Sequence, residues 1–539
     1  VSRSRISALT ILLSGLLAAA QTSQPPSPPP APPPPAQTAP DQPSEPAIPP
    51  GKVLFSRDAA SPPDSTGANR ATAPNYDEQL SVPDSERKTL TFTNYNLDVH
   101  LKPVTSAISV RAGLTVRNDG VNPIARLVLQ LSSTLNWDAF STRSLASPGT
   151  VTPLTFAVHN VPTDADHTGS MDEAVVNLPQ PLAPGASTIL TALYAGTIEA
   201  SADRLLHIGA PSEKAIATDW DAIAPGDPSS SNSPAAAVAL RGFGNVLWYP
   251  ISSPPISLSN DAKFVQAVGE TKLRQSAATV RLRLAVEYIG DSPDAAFFCG
   301  RREHLVATSD NPNLPAAESP GIATALFDTH PLGFRTLSLF LTANAPTIAG
   351  TPANSDLIAA VTTHFDALPA YSAAAGQVEP LLTDWLGPQP LMPLNILDHP
   401  GQPFEDDALL VRPMRAVDPA TLVPSLVHSL THAWIRSDHA WIDEGLPEFT
   451  SLLWTERASG RPAALAALQD AAQTLALAEP AVHASAATSS GSSSPAEPAA
   501  SSSTSPNQPG TSLIDATGPV YYRTKAAAVW WMLRTILGD

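Results

Sequence analysis

The sequence predicts an α+β, multidomain chain: an N-terminal antiparallel β-sandwich domain over residues 88–290, then an α-rich domain over residues 291–539. Three observations predict it. Apolar residues recur at every second position in Leu97, Val99 and Leu101, and again in Ile108, Val110, Ala112, Leu114 and Val116, the period of half-buried strands. After about residue 350 the spacing lengthens to three and four, as in Leu357, Val361, Phe365 and Leu368, the period of a helix face. The chain has 539 residues, 43% of them hydrophobic, material for several domains at roughly 150 residues each.

Composition excludes other classes. The formal net charge of -18 argues against nucleic acid as a partner. Charged residues make up 15% of the chain, against about 25% in ordinary globular domains. The 58 prolines exceed the usual ~5% about twofold, so part of the chain is low-complexity linker. One cysteine, Cys299, rules out a disulfide framework or a Cys-rich zinc module and reads as a small core residue.

Residues 1–20 read as a secretory signal peptide. Arg3 and Arg5 precede an apolar stretch from Ile6 to Leu17, and Ala18, Ala19 and Ala20 form a small-residue cleavage site. The alternative, an uncleaved anchor, is disfavoured by a run shorter than the ~20 residues that span a bilayer. No cysteine follows for lipid attachment. The expected product is exported, periplasmic or extracellular, with no integral membrane segment after cleavage. Residues 21–87, rich in Pro, Ala, Ser and Gln at their start, read as a disordered, extended linker.

Within the β region, Leu90, Phe92 and Tyr95 lead into the alternation, and Asn118-Asp119-Gly120 supplies a turn. Leu127, Leu129 and Leu131 continue the series, followed by Val175 to Leu178, a Pro184-Gly185 turn and Ile189 to Tyr194. The Ser/Pro/Ala stretch 224–236 reads as an inserted loop, and Val280, Leu282, Leu284 and Val286 as one of the last long strands. Further on, Leu391 to Leu397 reads as a short strand, and Leu422 to Ile435 and Trp441 to Trp454 as helices. Residues 484–512 are a low-complexity insertion. Ala526 to Leu537 is an apolar helix whose Val529, Trp530, Trp531 and Leu533 need packing partners. Either it folds back onto the preceding helices or the chain is cut short after Asp539.

The segment that carries chemistry is His428-Ser429-Leu430-Thr431-His432, followed by Trp441-Ile442-Asp443-Glu444-Gly445. Residues four apart share a helix face, so His428 and His432 can aim two imidazoles at one metal ion, with Glu444 from the next helix as third ligand. A fourth, open position for water is the pattern of a catalytic zinc site, where the metal lowers the pKa of water to about 7. A rival third ligand is Asp438, six residues after His432, but Ile435 stands where that arrangement has its turn glycine. His439 and Asp438 rank behind Glu444. Glu448, one helical turn beyond Glu444, is a candidate to orient a zinc-bound histidine.

These residues resemble the HExxH … W-x-N-E-G pattern of the gluzincin zinc metallopeptidases, and most of all the aminopeptidase N (membrane alanyl aminopeptidase) family. Tyr95-Asn96-Leu97-Asp98-Val99 is similar to the start of that family's saddle-shaped β-domain, and Trp385-Leu386-Gly387 through Pro390 to its F-G-x-Y-P segment. Tyr521-Tyr522-Arg523-Thr524-Lys525-Ala526, with Met532-Leu533-Arg534 and Leu537-Gly538-Asp539, resembles its Y-E-K-G-A … M-L-R … L-G-D helix. The resemblance covers most of residues 88–539. It implies a thermolysin-like second domain, one zinc ion on His428, His432 and Glu444, a peptide or protein substrate, and Tyr521 or Tyr522 as oxyanion donor. Aligned on Lys525, the family's tyrosine falls on Arg523. The family's G-x-M-E-N motif is missing, and Phe404-Glu405 lies about where it belongs, making Glu405 the candidate for binding the substrate amine. Eleven residues separate His432 from Glu444, a shorter connection than the family's. Most consequentially, Ser429 stands at the position of the general base, whose loss costs about 10²- to 10⁴-fold in rate. The resemblance therefore implies either a peptidase using zinc-activated water or a pseudopeptidase that retains metal and groove.

Overall fold

The alternation along the first strand, Leu90–Lys102, places Tyr95, Leu97 and Leu101 in complete burial near the middle of an eight-stranded sheet. The computed structural model describes residues 82–143, 151–224, 236–289, 291–309, 320–342, 347–351, 354–478 and 512–538. The signal peptide, the linker up to residue 81, the loop over 225–235 and the low-complexity insertion up to residue 511 lie outside the described residues. The described part belongs to one compact unit, Gly51–Asp539.

In the large sheet, Leu90–Lys102 pairs antiparallel with Ala107–Asn118, which pairs with Ser187–Thr197. On its other side it pairs in parallel with Thr279–Ile289, through Leu97↔Leu282 and Val99↔Leu284. A parallel neighbour requires a long crossover rather than a hairpin, and the intervening chain builds the facing layer. There Ile124–Ser132 and Phe156–Pro162 flank Ser170–Leu182 in a three-stranded sheet. Its Leu127, Leu129 and Leu131 share one core with the inward residues of the large sheet. The expected turn at Asn118 is closed by the Gly120 N–H donating to Asn118 Oδ1 at 2.9 Å, an Asx turn.

Two boundaries differ from expectation. The described residues start inside the predicted linker. Asp84–Arg87 form a short helix, and the buried Arg87 guanidinium donates to both oxygens of Glu173 at 2.7 and 2.9 Å. The β region also runs well past residue 290. Pro320–Pro331 pairs antiparallel with Thr279–Ile289, and Val306–Ser309 extends the same sheet. The partners of a sheet edge are fixed by tertiary pairing, which leaves no local mark at the domain boundary.

A third difference concerns Leu357 and Val361. Asn354–Val361 is a strand, and Leu368–Leu386 is where the helix begins. Leu357 to Val361 is a short unbroken apolar run, buried on both faces in parallel pairing with Leu394–Asp398. Such a run carries no period that separates strand from helix. This second mixed sheet has the order Thr347–Thr351, Asn354–Val361, Leu394–Asp398, Leu409–Arg412, Phe404–Asp406. Helices follow at Pro419–Trp434, Ala440–Asp443, Gly445–Ser459, Arg461–Ala478 and Ala526–Leu537. The helix expected over Trp441 to Trp454 is therefore broken, with Glu444 at the junction. Among the described residues no helix is long and apolar enough to cross a membrane.

Two buried histidines set an acid limit on this fold. Burial pulls both His330 and His399 down to about 4, His399 lying with its ring centroid 4.1 Å from that of Trp220. The unfolded chain binds protons at these groups from about pH 6.5 downward while the folded chain does not until about pH 4, so stability falls as pH drops through that window. Each contributes a loss on the order of 3 kcal/mol by pH 4. Urea unfolding at pH 7 and pH 4 checks this, and equal midpoints would contradict it.

Candidate metal centre

The helix Pro419–Trp434 opens with Asp418 as N-cap, its Oδ1 accepting from the Ala420 N–H at 2.9 Å, and Pro419 in the first turn, where a missing N–H costs nothing. Leu422, Val423, Leu426, Val427, Leu430 and Ala433 pack into a core shared with Tyr371, Ala374 and Val378 of the helix Leu368–Leu386. Trp434 Nε1 donates to the Gly387 carbonyl at 3.0 Å. Thr431 Oγ1 lies 2.7 Å from Thr450 Oγ1, binding the histidine helix to Gly445–Ser459. The helix is thus fixed on two sides, and one turn holds both imidazoles. The rings of His428 and His432 have centroids 5.2 Å apart at 67°.

Both rings carry nitrogens that the protein leaves unbonded. Neither nitrogen of the buried His432 has a hydrogen-bond partner, nor does His428 Nε2. Three carboxylates surround His428. Its Nε2 lies 3.6 Å from Glu405 Oε2 and 3.6 Å from Glu444 Oε2, and its Nδ1 lies 3.7 Å from Glu448 Oε2. Burial alone would lower its pKa, but Glu444 and Glu405 outweigh burial and raise it. Among the described residues, the trio whose donor atoms all lie within 4.8 Å of one another is Glu405, His428 and His432.

Two of the residues expected at the site stand differently toward this trio. Glu405, expected as an amine-binding residue, sits on the edge strand Phe404–Asp406 within reach of both histidines, and its Oε1 is buried without a partner. Glu444, expected as the third ligand, is absent from that trio and has a cation of its own. Arg523 donates to Glu444 Oε2 through Nε at 2.8 Å, with Nη2 at 2.6 Å from the same oxygen. Burial would raise the Glu444 pKa, yet Arg523 and the two histidines hold it well below the usual carboxylate range. Glu444 occupies the junction between two helices rather than a place along one.

Arg523 comes from a π-helical turn, Val520–Lys525, an irregularity frequent at functional sites. Gly445 lets that turn approach. A Cβ on Gly445 would lie 2.5 Å from the Ala526 Cβ and 3.1 Å from the Tyr522 carbonyl. The two tyrosines diverge. Tyr522 is buried against Phe334 at a centroid distance of 5.0 Å, and burial, then Glu444, push its phenol up to about 12. Tyr521 points elsewhere, its hydroxyl donating to the Ala478 carbonyl at 3.4 Å. Ser429 is buried at the position next to His428. Asp438 and His439 face each other at 3.7 Å, both more than half exposed and outside the trio. Trp531 and Cys299 are buried, and Trp530 stacks on Trp441 at 5.2 Å.

Behind the site lies a charge network that no local pattern announces. Arg335, from the β region, reaches Asp407 Oδ2 at 2.9 Å, Asp443 Oδ2 at 3.6 Å and Asp406 Oδ1 at 3.8 Å. Arg436 pairs with Asp407, and Ser338 Oγ donates to Asp406 Oδ2 at 2.5 Å. Burial pulls the Arg436 guanidinium down to about 10. Gly300, at φ 74°, admits the Asp406 carbonyl 2.5 Å from where a Cβ would stand. The network anchors the residues that follow Glu405 and the one that precedes Glu444.

Two imidazoles and a carboxylate, with three ring nitrogens left without a hydrogen bond, form a donor set that suits zinc. No protein-family model matches the chain, and no curated protein matches it. Among solved structures it is similar to a mutant of a two-domain M1 zinc metallopeptidase bound to L-arginine, at 18% identity and a TM-score of 0.44 over 84% of each chain. It is likewise similar to an M1 zinc metallopeptidase from Deinococcus radiodurans, at 17% identity and a TM-score of 0.42 over 84% of each chain.

Proposed function

We propose that this chain is a metallopeptidase-like protein of the aminopeptidase N type that holds one zinc ion and binds peptides or proteins, without hydrolysing them at peptidase rates. One observation carries the metal: the convergence of His428, His432 and a carboxylate, with imidazole nitrogens left unbonded inside the protein. Zinc, when bound, acts as a Lewis acid. The residues around it supply less than a peptidase needs. Ser429 offers a hydroxyl where a general base belongs, and a hydroxyl takes no proton at neutral pH. Arg523 binds Glu444 where the sequence resemblance places a tyrosine. Tyr522 remains the phenol on the Glu444 side of the turn, held protonated by burial. The peptide ligand is inferred from the sequence resemblance over residues 88–539. The Arg3–Ala20 segment supports export to the periplasm or beyond.

Elemental analysis of the purified chain should find about one zinc per protein. Saturating zinc, at about 1,000-fold over its dissociation constant, should stabilise the chelator-stripped protein by about 4 kcal/mol in urea unfolding. Wild-type turnover of amino-acid anilides should stay near background. Absence of zinc would overturn the reading, and brisk wild-type turnover would make the protein a working peptidase served by another base.

A further inference from the structure

We infer that the third protein ligand of the metal is Glu405, from the sheet edge, and that Arg523 withholds Glu444 from it. The inference rests on the zinc reading above and names its ligand set. Distance to His428 does not choose between the two carboxylates, since each has an oxygen 3.6 Å from its Nε2. Their other partners do. The Glu444 oxygen nearest His428 is the one that Arg523 engages, with Nε at 2.8 Å and Nη2 at 2.6 Å. A dication on that oxygen would share it with a guanidinium that stays charged at every accessible pH. The turn that carries Arg523 is seated against Gly445 through Ala526 and the Tyr522 carbonyl, which fixes its backbone beside Glu444. Arg523 also feels the charge of Glu405, but among the described residues no guanidinium is hydrogen-bonded to Glu405. Its Oε1 is buried without a hydrogen bond, and its donor atoms fall with those of His428 and His432 inside the 4.8 Å trio.

The ligand set therefore joins two structural elements, the edge strand Phe404–Asp406 and the histidine helix, rather than two consecutive helices. Glu405, spent on the metal, leaves the amine-binding role to another group. Glu444 becomes a positioning residue that fixes Arg523 beside the metal.

The test is the zinc dissociation constant of the full chain, measured by competition with a chromophoric chelator, for wild type, E405Q, E444Q and the double variant E405Q/R523Q. E405Q should weaken zinc binding about 100-fold and E444Q by no more than about threefold, and adding R523Q to E405Q should recover at least about tenfold by releasing Glu444. Loss of affinity in E444Q, with or without loss in E405Q, overturns the inference, as does an unchanged E405Q. Thermal unfolding of the zinc-free variants shows whether each folds. Should E405Q fail to fold, the E444Q arm decides alone, retained zinc supporting the assignment and lost zinc overturning it. A wild type that binds no zinc is a different result, because it removes the metal reading itself.

Discussion

Asp407→Asn is expected to destabilise the protein by about 3–5 kcal/mol, the range for removing one partner of a buried ion pair. The Asp407 side chain is 1% exposed and faces two guanidinium groups, Arg335 and Arg436. Neutralising it leaves the buried Arg335 and the part-buried Arg436 with Asp406 and Asp443 as their remaining carboxylates. Asparagine is the informative substitution, because Asp407 has φ 55° and asparagine tolerates that left-handed conformation. A loss of stability then reports charge rather than backbone strain. The exposed pair Arg117–Asp119 is the control. Its side chains are 43% and 35% exposed, and Asp119→Asn should change stability by no more than about 1 kcal/mol. Urea unfolding of both variants at pH 7 makes the comparison, and similar midpoints would mean that the network is not what holds the two regions together. Zinc affinity should fall in Asp407→Asn as well, since Glu405 lies two residues away on the strand that the network anchors.

That network also shows where reading the sequence stops. The first strands were legible because Leu97, Val99 and Leu101 alternate on a sheet with one buried face, and the histidine helix because its apolar residues recur at helical spacing. The imidazole pair was legible for the same reason, since spacing along one helix fixes which side chains share a face. Everything that depends on distant segments meeting was not. Leu357 to Val361 is covered on both faces, Leu357, Ile358 and Ala360 by the helical core and Val361 by a core with Phe297 and Phe340, so its apolar run lacks the alternation that marks a half-exposed strand. Glu405 reaches the histidines only because its edge strand ends beside them. Arg335 and Asp407 are separated by a long stretch of chain and meet through packing between the sheets. Arg523 had one signal, its place under the tyrosine of the resembled motif, and what the motif could not show is that the arginine would bind Glu444.

The last of these bears on the second large effect. Ser429→Glu should raise hydrolysis of amino-acid anilides by about 10²- to 10⁴-fold over wild type, the contribution of a positioned general base. The position is buried and lies between His428 and Leu430 on a helix held from two sides, so the new carboxylate is confined to the neighbourhood of the imidazoles. The added volume should cost about 1–3 kcal/mol of stability, which unfolding in urea measures separately from turnover. A variant that folds and binds zinc but stays inert points to the second departure, Arg523. Arg523→Tyr on the Ser429→Glu background frees Glu444 and restores a phenol donor where an oxyanion would need one. Activity that appears only in this double variant would show that two substitutions, a missing base and a guanidinium on the neighbouring carboxylate, together silence the site. Activity in neither would place the defect in recognition of the peptide, because base, metal and oxyanion donor would all then be present.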